Sequence, residues 1–174
     1  MKSNNGSEGY SFEEKLLGEV INCFDHKRIP LSSMERSKRQ GVYPYYGAQG
    51  IIDYVNDYLF DGDYILIAED GENLKSRKKE IASLVDGQFW VNNHAHIIQA
   101  NKQADNKYLY YLLNFLDLTP YITGSAQPKL NQASLKNIQI RLPNISIQEK
   151  IAGFLSDLDS KIRINNRINR NLLH

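Results

Sequence analysis

The sequence predicts an α+β protein in which a mixed α/β globular part is followed by one long C-terminal helix. Short β-branched runs bounded by glycine and other turn residues predict strands, as at 51–55 and 64–68. Apolar residues at helical spacing predict a helix over 107–116. A heptad pattern after residue 145 predicts a second and much longer helix.

The globular elements follow one another between turn-forming residues. Asp61 and Gly62 provide a turn between the first two strands, and Asp105 is placed to cap the helix over 107–116. We expect one shared face of that helix to carry Tyr108, Tyr111, Leu112 and Phe115. The other expectations are a disordered stretch over 1–10, irregular loops over 25–40 and 69–79, an extended run over 89–99 and a final strand over 138–142.

The last segment has the pattern of a long helix with a single apolar seam. Ser146 and Glu149 have the spacing of a capping box, which predicts a helix start at Ser146. A helix from Ser146 to Leu172 would be about 40 Å long at 1.5 Å per residue. The seam recurs in alternating steps of four and three residues: Ile151, Leu155, Leu158, Ile162, Asn165, Asn169 and Leu172.

The seam requires a surface to pack on, and two are conceivable. The helix could fold back on its own domain, or it could pair with a helix of another chain. Buried asparagine fixes register and strand number in coiled coils at some cost in stability, so Asn165 and Asn169 favour pairing. The sequence therefore predicts a coiled coil that serves for dimerisation and as a spacer.

The composition excludes several classes of protein. The 174 residues are 41% hydrophobic and 24% charged, as in ordinary globular domains. The single cysteine, Cys23, allows no internal disulfide framework and no cysteine zinc site. The N-terminus is polar without an apolar signal core, and no apolar run approaches the roughly 20 residues of a membrane helix. We therefore expect a soluble, cytoplasmic protein that does not contact membranes.

The sequence offers no convincing catalytic set. It lacks the glycine-rich phosphate-binding patterns and the GxSxG nucleophile motif. Cys23 and His26 are close in sequence, but nothing orients them as nucleophile and base. His94 and His96 would share one face of a strand without an evident third metal ligand, so packed or hydrogen-bonded histidines are favoured. We expect no catalytic residue, metal or cofactor; a metal-dependent nuclease using His94, His96 and nearby acids is the alternative.

Charge is segregated along the chain, although the net charge is only +1. Solvated loops would explain the charge by itself. Basic clusters that also carry glutamine, serine and tyrosine can contact DNA phosphates and base edges. The candidate DNA-binding residues are Lys27, Arg28, Arg36, Lys38 and Arg39 in a basic loop, Tyr45, Tyr46 and Gln49 in a stiff glycine-hinged loop over 43–50, Lys75 and Arg77 in a second basic cluster, and Ser125, Gln127 and Lys129 around Pro128.

Several runs resemble a known family. These runs are KRIPLSS, YPYYGAQGIIDYVNDYLFDGDYILIAEDGENL, FWVNNHAHII and TGSAQPKLNQASLKNIQIRLPNISIQEKIAGFLSDLDSKI. They resemble the specificity subunit of type I restriction–modification systems over roughly residues 15–170. The segment LPNISIQEKIAGFLSDLDSKI is the most specific to that family.

The resemblance implies a fold and a function. It implies a target-recognition domain over 11–143 that binds one half of a split sequence in double-stranded DNA, and a long conserved helix over 144–174. In the family these helices pair as an antiparallel coiled coil that sets the spacing. A methyltransferase subunit methylates adenine with S-adenosylmethionine, and a restriction subunit adds ATP-driven translocation and cleavage. S-adenosylmethionine, ATP and magnesium are therefore expected only in partner subunits, and the specificity subunit has no chemistry of its own.

The chain departs from the family in size, because a typical member carries two recognition domains and two helices. We expect a half-subunit that forms an antiparallel homodimer and reads a gapped palindrome. A non-functional truncated remnant, or a dimeric scaffold that reads no DNA, is the alternative. The sequence leaves open the bases recognised, pairing with another specificity chain, cleavage against methylation alone, and whether His94 and His96 contact DNA.

Overall fold

The structure is a computed structural model that describes residues 11–172 except the side chain of Leu172. It consists of short strands and helices joined by turns, followed by one long helix. The disorder expected over 1–10 lies outside the described residues. The strands are β1 (Glu13–Leu16), β2 (Ile21–Cys23), β3 (Gln40–Gly47), β4 (Gly50–Val55), β5 (Phe60–Asp61), β6 (Tyr64–Ala68), β7 (Ala82–Val85), β8 (Gln88–Val91), β9 (Ala95–Ala100) and β10 (Gln139–Leu142). The helices are α1 (Leu17–Val20), α2 (Ser33–Ser37), α3 (Asn73–Ser76), α4 (Asn106–Phe115), α5 (Gln132–Lys136) and α6 (Ile145–Leu172), with 3₁₀ turns at Asp25–Lys27 and Thr119–Tyr121.

The strands form two four-stranded sheets and one separate pair. The first sheet has the order β2-β9-β6-β7 and is antiparallel throughout. The second has the order β4-β3-β8-β5, and its β3–β8 pair is parallel. Strands β1 and β10 pair antiparallel and join the two ends of the globular part. The α+β class with a long C-terminal helix is therefore confirmed.

The first sheet separates two apolar layers, which explains why its central strands consist of nearly continuous apolar residues. Leu66 of β6 and Ile97 of β9 face the second sheet and pack in one cluster with Phe60, Phe89 and Val91. The alternate residues of the same strands face the helices, because successive strand side chains point to opposite faces. That second layer includes Ile65, Ile67, Ile98, Leu109, Leu113 and Ala152.

The predicted strands at 51–55, 64–68 and 138–142 are confirmed as β4, β6 and β10, although β10 begins one residue later than predicted. The strands β4 and β6 lie in different sheets, so Asp61 and Gly62 do not turn a simple hairpin between them. The extended run over 89–99 divides at residues 92–94 into β8 and β9, which also belong to different sheets. A strand pattern predicts extended backbone, whereas the choice of sheet depends on partners far away in sequence.

The prediction of a glycine-hinged aromatic loop over 43–50 is wrong. Residues 40–47 form strand β3, and only Ala48 and Gln49 remain in the turn before β4. Register shifts between Gln40 and Tyr43 and between Tyr45 and Tyr46 interrupt the β3–β4 pairing. Such irregularities accommodate glycine and proline within a strand, and β8 pairs only with the part of β3 that follows Pro44.

Helix α4 is confirmed with its predicted cap, because an Asp105 oxygen accepts a hydrogen bond from the Tyr108 backbone N–H at 2.8 Å. Its buried face is different from the expected one. Tyr108, Leu109 and Leu113 are buried, whereas Phe115 is 86% exposed. Apolar and aromatic residues cover most of the surface of this helix, so helical spacing alone did not select the face that meets the core.

Helix α6 begins one residue earlier than predicted, and its cap is different. Asn144 Oδ1 accepts from the Ile147 backbone N–H at 3.1 Å, so the capping box of Ser146 and Glu149 is wrong. Buried Gln148 then fixes the helix to the domain: its amide donates to the Pro143 carbonyl at 2.9 Å and its side-chain oxygen accepts from the Asp105 N–H at 3.1 Å.

The first half of α6 lies on α4, and the second half projects away from the domain. Ala152 is buried, Leu155 is half-buried, and the Tyr111 hydroxyl donates to Asp159 at 2.7 Å. Burial and this hydrogen bond raise the pKa of Tyr111 to about 12. From Lys161 to Asn171 every residue is exposed. No helix within residues 11–172 is long and apolar enough to cross a membrane.

The cap of α6 distinguishes the observed start from the predicted one. Asn144→Ala removes the acceptor for the Ile147 N–H and is expected to lower the free energy of unfolding by about 1 kcal/mol. Ser146→Ala, the matched control within the first turn, is expected to change it by less than about 0.5 kcal/mol. Urea unfolding followed by circular dichroism measures both. A larger loss for Ser146→Ala than for Asn144→Ala would contradict the observed cap.

Candidate nucleic-acid interface

Four segments that are distant in sequence meet at one edge of the molecule. They are the β3–β4 turn at 48–50, the segment 69–71 after β6, the β8–β9 turn at 92–94, and the segment 123–130. We call these segments together the turn cluster. The first three segments follow or join strands of the two sheets, whereas 123–130 lies between the 3₁₀ turn at Thr119–Tyr121 and α5.

Backbone hydrogen bonds connect the segments of the turn cluster in order. The Glu69 N–H donates to the His94 carbonyl at 2.9 Å, and the Leu130 N–H donates to the Glu69 carbonyl at 2.8 Å. Thr123 and Lys129 exchange two bonds of 2.8 Å each, which closes 123–130 into a small loop. The 48–50 turn lies beside segment 69–71, since Gln49 Nε2 lies 4.0 Å from the position that a Cβ on Gly71 would occupy.

The loop over 123–130 has a shape that only glycine permits at one position. Gly124 has a φ of +80°, and a Cβ there would overlap the carbonyl oxygen of Gln127. Lys75 reaches this loop from α3 and donates to the Gly124 and Ser125 carbonyls at 3.2 and 3.3 Å. Ser125 and Gln127 are both exposed, and hydrogen bonds to Lys75 and between Thr123 and Lys129 hold the backbone that carries them.

A buried charge network lies directly under the turn cluster. His96 on β9 is buried; its Nδ1 lies 2.6 Å from an Asp25 oxygen and its Nε2 lies 2.7 Å from the Leu130 carbonyl oxygen. Both neighbours are acceptors, so both ring nitrogens must donate and the ring carries a positive charge. One side chain thus ties the 3₁₀ turn of Asp25 to the end of the 123–130 segment.

The carboxylates of this network are held in the ionised form. Burial would raise the pKa of Asp25, but the hydrogen bonds and charge of His96, the Ile97 N–H and Arg28 outweigh it and hold that pKa well below its usual range. Glu69 is similar: burial opposes ionisation, and Arg28 at 2.7 Å and Lys129 at 3.3 Å lower its pKa.

Asp25, Glu69 and His96 bring metal-ligand atoms within 4.8 Å of one another. The chemistry of the surroundings fits an ion-pair network instead of a metal centre, because Arg28 and Lys129 already direct cations at these carboxylates. His94 does not join the cluster: its Nδ1 lies 2.7 Å from Asp70. The two histidines therefore bind different carboxylates and do not converge as the nuclease alternative requires.

Burial removes Tyr45 from the predicted contact residues. Its side chain is 0% exposed, packs with Trp90, Val55 and Leu31, and its hydroxyl oxygen accepts from the Leu31 N–H at 2.8 Å. Tyr46 is half-buried against Phe89 at a ring distance of 5.7 Å. Both lie in β3, where the prediction had placed a loop.

Three predicted arginines have structural contacts instead of free guanidinium groups. Arg28 bonds Glu69 and the Ala95 carbonyl, at 2.7 and 3.0 Å. Arg36 bonds Asp53 at 2.9 Å and the Leu31 carbonyl at 2.7 Å. Arg77, with a left-handed φ of 49°, donates to the carbonyls of Asn114 and Leu116 at the end of α4. All three guanidinium groups are therefore held by contacts within the protein.

The remaining predicted cations are exposed. Lys27 lies over the Phe24 ring and Arg39 over the Trp90 ring, at 5.2 and 5.9 Å from the ring centres. Lys38 and Arg39 precede β3, whereas Gln49 follows it. Of the predicted residues, Gln49, Ser125, Gln127 and Lys129 lie in the turn cluster. Lys75 supports the cluster from α3, and Arg28 reaches it through Glu69 and the Asn93 carbonyl.

The DNA-binding residues predicted from the sequence do not include Asp70 or Asn93, and the prediction left open whether His94 contacts DNA. All three are in the turn cluster, and Asn93 and His94 are exposed. The only signal in the sequence was the NNHAH run, whose turn character is visible in Asn92 and Asn93. Asn92 Oδ1 accepts from the His94 N–H at 2.8 Å and so shapes that turn.

The family model for the type I restriction modification DNA specificity domain matches residues 11–174. The chain belongs to this family. The match therefore confirms the expected resemblance, and it assigns the chain to a family of specificity domains and not to a family of enzymes.

Curated proteins give the same family. A putative type I restriction enzyme specificity subunit of Haemophilus influenzae is 37% identical over 151 residues, which are 87% of this chain and 38% of that protein. The EcoprrI specificity subunit of Escherichia coli is 27% identical over 149 residues, 85% of this chain and 36% of that protein. This type I specificity domain thus spans less than two fifths of the length of these relatives.

Solved structures share the fold of this specificity domain. The type I restriction–modification S subunit of M. genitalium superposes with a TM-score of 0.72 at 17% identity, over 94% of this chain and 42% of that one. The HsdS subunit of Thermoanaerobacter tengcongensis gives a TM-score of 0.56 at 14% identity, over 95% of this chain and 41% of that one. At these identities the likeness establishes the fold.

The buried network predicts a large effect of one substitution. His96→Ala leaves Asp25 buried without its main partner and is expected to lower the free energy of unfolding by about 3 kcal/mol. His26→Ala is the control, since His26 is exposed in the neighbouring 3₁₀ turn, with an expected change within about 0.5 kcal/mol. Urea titration measures both. Equal stabilities of the two variants would contradict the network.

Acid is expected to weaken the fold through Asp25. Its pKa is lower in the folded state than the ordinary value of about 3.9, so its contribution is complete above that value and is lost as pH falls toward the folded pKa. Asp25→Asn is expected to be less stable at neutral pH and to lose less stability on acidification. Urea midpoints between about pH 6 and pH 3 measure this. Parallel curves for the two proteins would contradict it.

Proposed function

We propose that this domain reads one part of a DNA target through the turn cluster, as the non-catalytic recognition element of a type I specificity subunit. The observation that carries the proposal is the set of exposed amide, hydroxyl and ammonium groups on turns whose backbones are held by hydrogen bonds within the turn cluster. Side chains on held backbones lose little freedom on binding, so they can discriminate between base edges.

The proposed contact residues divide by chemistry. Gln49 and Gln127 can each donate to and accept from an adenine edge in the major groove. Lys129 is a phosphate contact, and Ser125 serves either purpose. Lys75 acts by holding the loop backbone through the Gly124 and Ser125 carbonyls.

The charges of the turn cluster suit a polyanion. Its two acids, Glu69 and Asp70, are each engaged: Glu69 by Arg28 and Lys129, and Asp70 by His94. The Glu69 carboxylate therefore presents no uncompensated charge to the phosphate backbone. Lys129 keeps about half of its side chain exposed beside Glu69, so it remains available to a phosphate.

The proposed partners follow from the family. We infer that a methyltransferase subunit uses S-adenosylmethionine to methylate adenine at the site this domain reads, and that a restriction subunit joins through the assembled complex. ATP and magnesium are needed only there. The proposed compartment is the cytoplasm, where these partners and DNA meet.

We infer that α6 pairs antiparallel with α6 of a second copy of this chain. Ile151, Phe154, Leu158 and Ile162 form an exposed apolar stripe along the helix. Leu155, which the heptad prediction placed in the seam, is half-buried toward the domain, so Phe154 takes its place. Asn165 and Asn169 extend the stripe and would fix register; the Leu172 side chain, also predicted in the seam, lies outside the described residues. Two copies related by a two-fold axis would read a gapped palindrome.

The base contacts can be separated from the phosphate contacts with a randomised pool of duplex DNA. Gln127→Ala is expected to lose about tenfold preference at one base pair of the selected site. Lys129→Ala is expected to weaken binding to all sequences and to lower the salt dependence by about one ion. The controls are Gln139→Ala and Lys107→Ala, which lie outside the turn cluster. Wild-type protein that selects no sequence, or variants that behave like the controls, would contradict the proposed contacts.

The proposed pairing of α6 is tested by charge on its apolar stripe. Leu158→Asp is expected to convert a dimer into a monomer in sedimentation equilibrium, because pairing would bury the carboxylate. Ile164→Asp is the matched control, since Ile164 is an exposed isoleucine on a different face of the same helix. A monomeric wild-type chain at tens of micromolar, or equal dissociation by both variants, would contradict pairing through this stripe.

A further inference from the structure

His94 occupies a position in the turn cluster that its neighbours make suitable for contact with a base. His94 is the last residue of the β8–β9 turn, and its carbonyl accepts a hydrogen bond from the Glu69 N–H in segment 69–71. Adjacent strands lie about 4.8 Å apart, so His94 lies about 10 Å across the ladder from Lys129. That separation corresponds to about three base pairs at 3.4 Å each.

Asp70 fixes the imidazole of His94. Its carboxylate oxygen lies 2.7 Å from Nδ1, and a carboxylate accepts but does not donate, so Nδ1 carries the proton. In the neutral ring the lone pair then lies on Nε2. The His94 side chain is 49% exposed, and Nε2 has no hydrogen-bond partner within residues 11–172. The ring is thus held at one nitrogen and available at the other.

The charge of the pair favours a base edge over a phosphate. Neutral His94 with Asp70 carries one negative charge, and protonated His94 with Asp70 carries none. Neither form attracts a phosphate. An Nε2 lone pair can instead accept from an amino group, which only adenine N6 and cytosine N4 present in the major groove.

We propose that His94, oriented by Asp70, is a specificity-determining residue that accepts a hydrogen bond from the exocyclic amino group of adenine or cytosine. The inference rests on the proposed DNA-reading function and assigns one more base contact to the same surface. Asp70 is a positioning residue in it, and His96, whose two nitrogens are both engaged, has no part in base contact.

The test selects bound sequences from a randomised duplex pool with the purified full chain. Wild-type protein, His94→Ala, Asp70→Ala and the exposed-histidine control His26→Ala are compared, with thermal unfolding to establish that each variant folds. His94→Ala is expected to lose about tenfold preference for adenine or cytosine at one base pair, with the other positions unchanged. Asp70→Ala is expected to lose preference at that same base pair to a smaller extent, and His26→Ala to match wild type.

Each other outcome overturns the inference. A His94→Ala profile identical to wild type would mean that His94 reads nothing, and a uniform loss of affinity would mean a phosphate contact. Loss of preference for guanine or thymine would contradict the acceptor role of Nε2. Wild-type protein that selects no sequence would overturn the proposed function as well, whereas a wild-type preference that His94→Ala leaves intact would overturn this inference alone.

Discussion

The surface of this domain depends on one buried interaction, the contact of His96 with Asp25 and the Leu130 carbonyl. The 3₁₀ turn of Asp25, strand β9 and the segment after residue 123 are far apart in sequence, and this side chain joins all three. Removing a member of a buried charged network costs several kcal/mol, so the arrangement is effectively all-or-none. The loop that carries Ser125 and Gln127 is positioned by that arrangement.

The architecture separates the residues that form the core from the residues proposed to contact DNA. The first sheet is covered on both faces, one by the second sheet and one by the helices, and the apolar residues of β6 and β9 are committed to these layers. The exposed side chains of the turn cluster lie outside both layers, although Leu130 at the end of its last segment is buried in the layer that faces the helices. These exposed side chains can be exchanged without altering the core, because they contact solvent and the backbone is held by other residues. This separation is what a module that reads different DNA sequences on one scaffold requires.

Helix α6 has two faces with different roles. Gln148 and Ala152 lie on the domain, and the Asp159 bond to Tyr111 extends that contact to the end of α4. The stripe containing Phe154 and Leu158 faces away and stays exposed. The domain therefore fixes the direction in which the helix leaves, and the exposed second half projects beyond it. A helix anchored over its first half transmits the orientation of one domain to whatever the other half binds.

Local patterns in the sequence determined the elements, and long-range packing determined the site. Strands at 51–55 and 64–68, the Asp105 cap and the long C-terminal helix followed from periodicity and capping chemistry, which act within a few residues. The burial of Tyr45, the paired guanidinium of Arg28 and the half-burial of Leu155 did not, because each depends on contacts between segments tens of residues apart. Residue types alone indicated DNA contact, but they did not separate an exposed cation from one held by a carboxylate. That separation came from tertiary structure, since only folding brings Glu69 to Arg28 and Asp70 to His94.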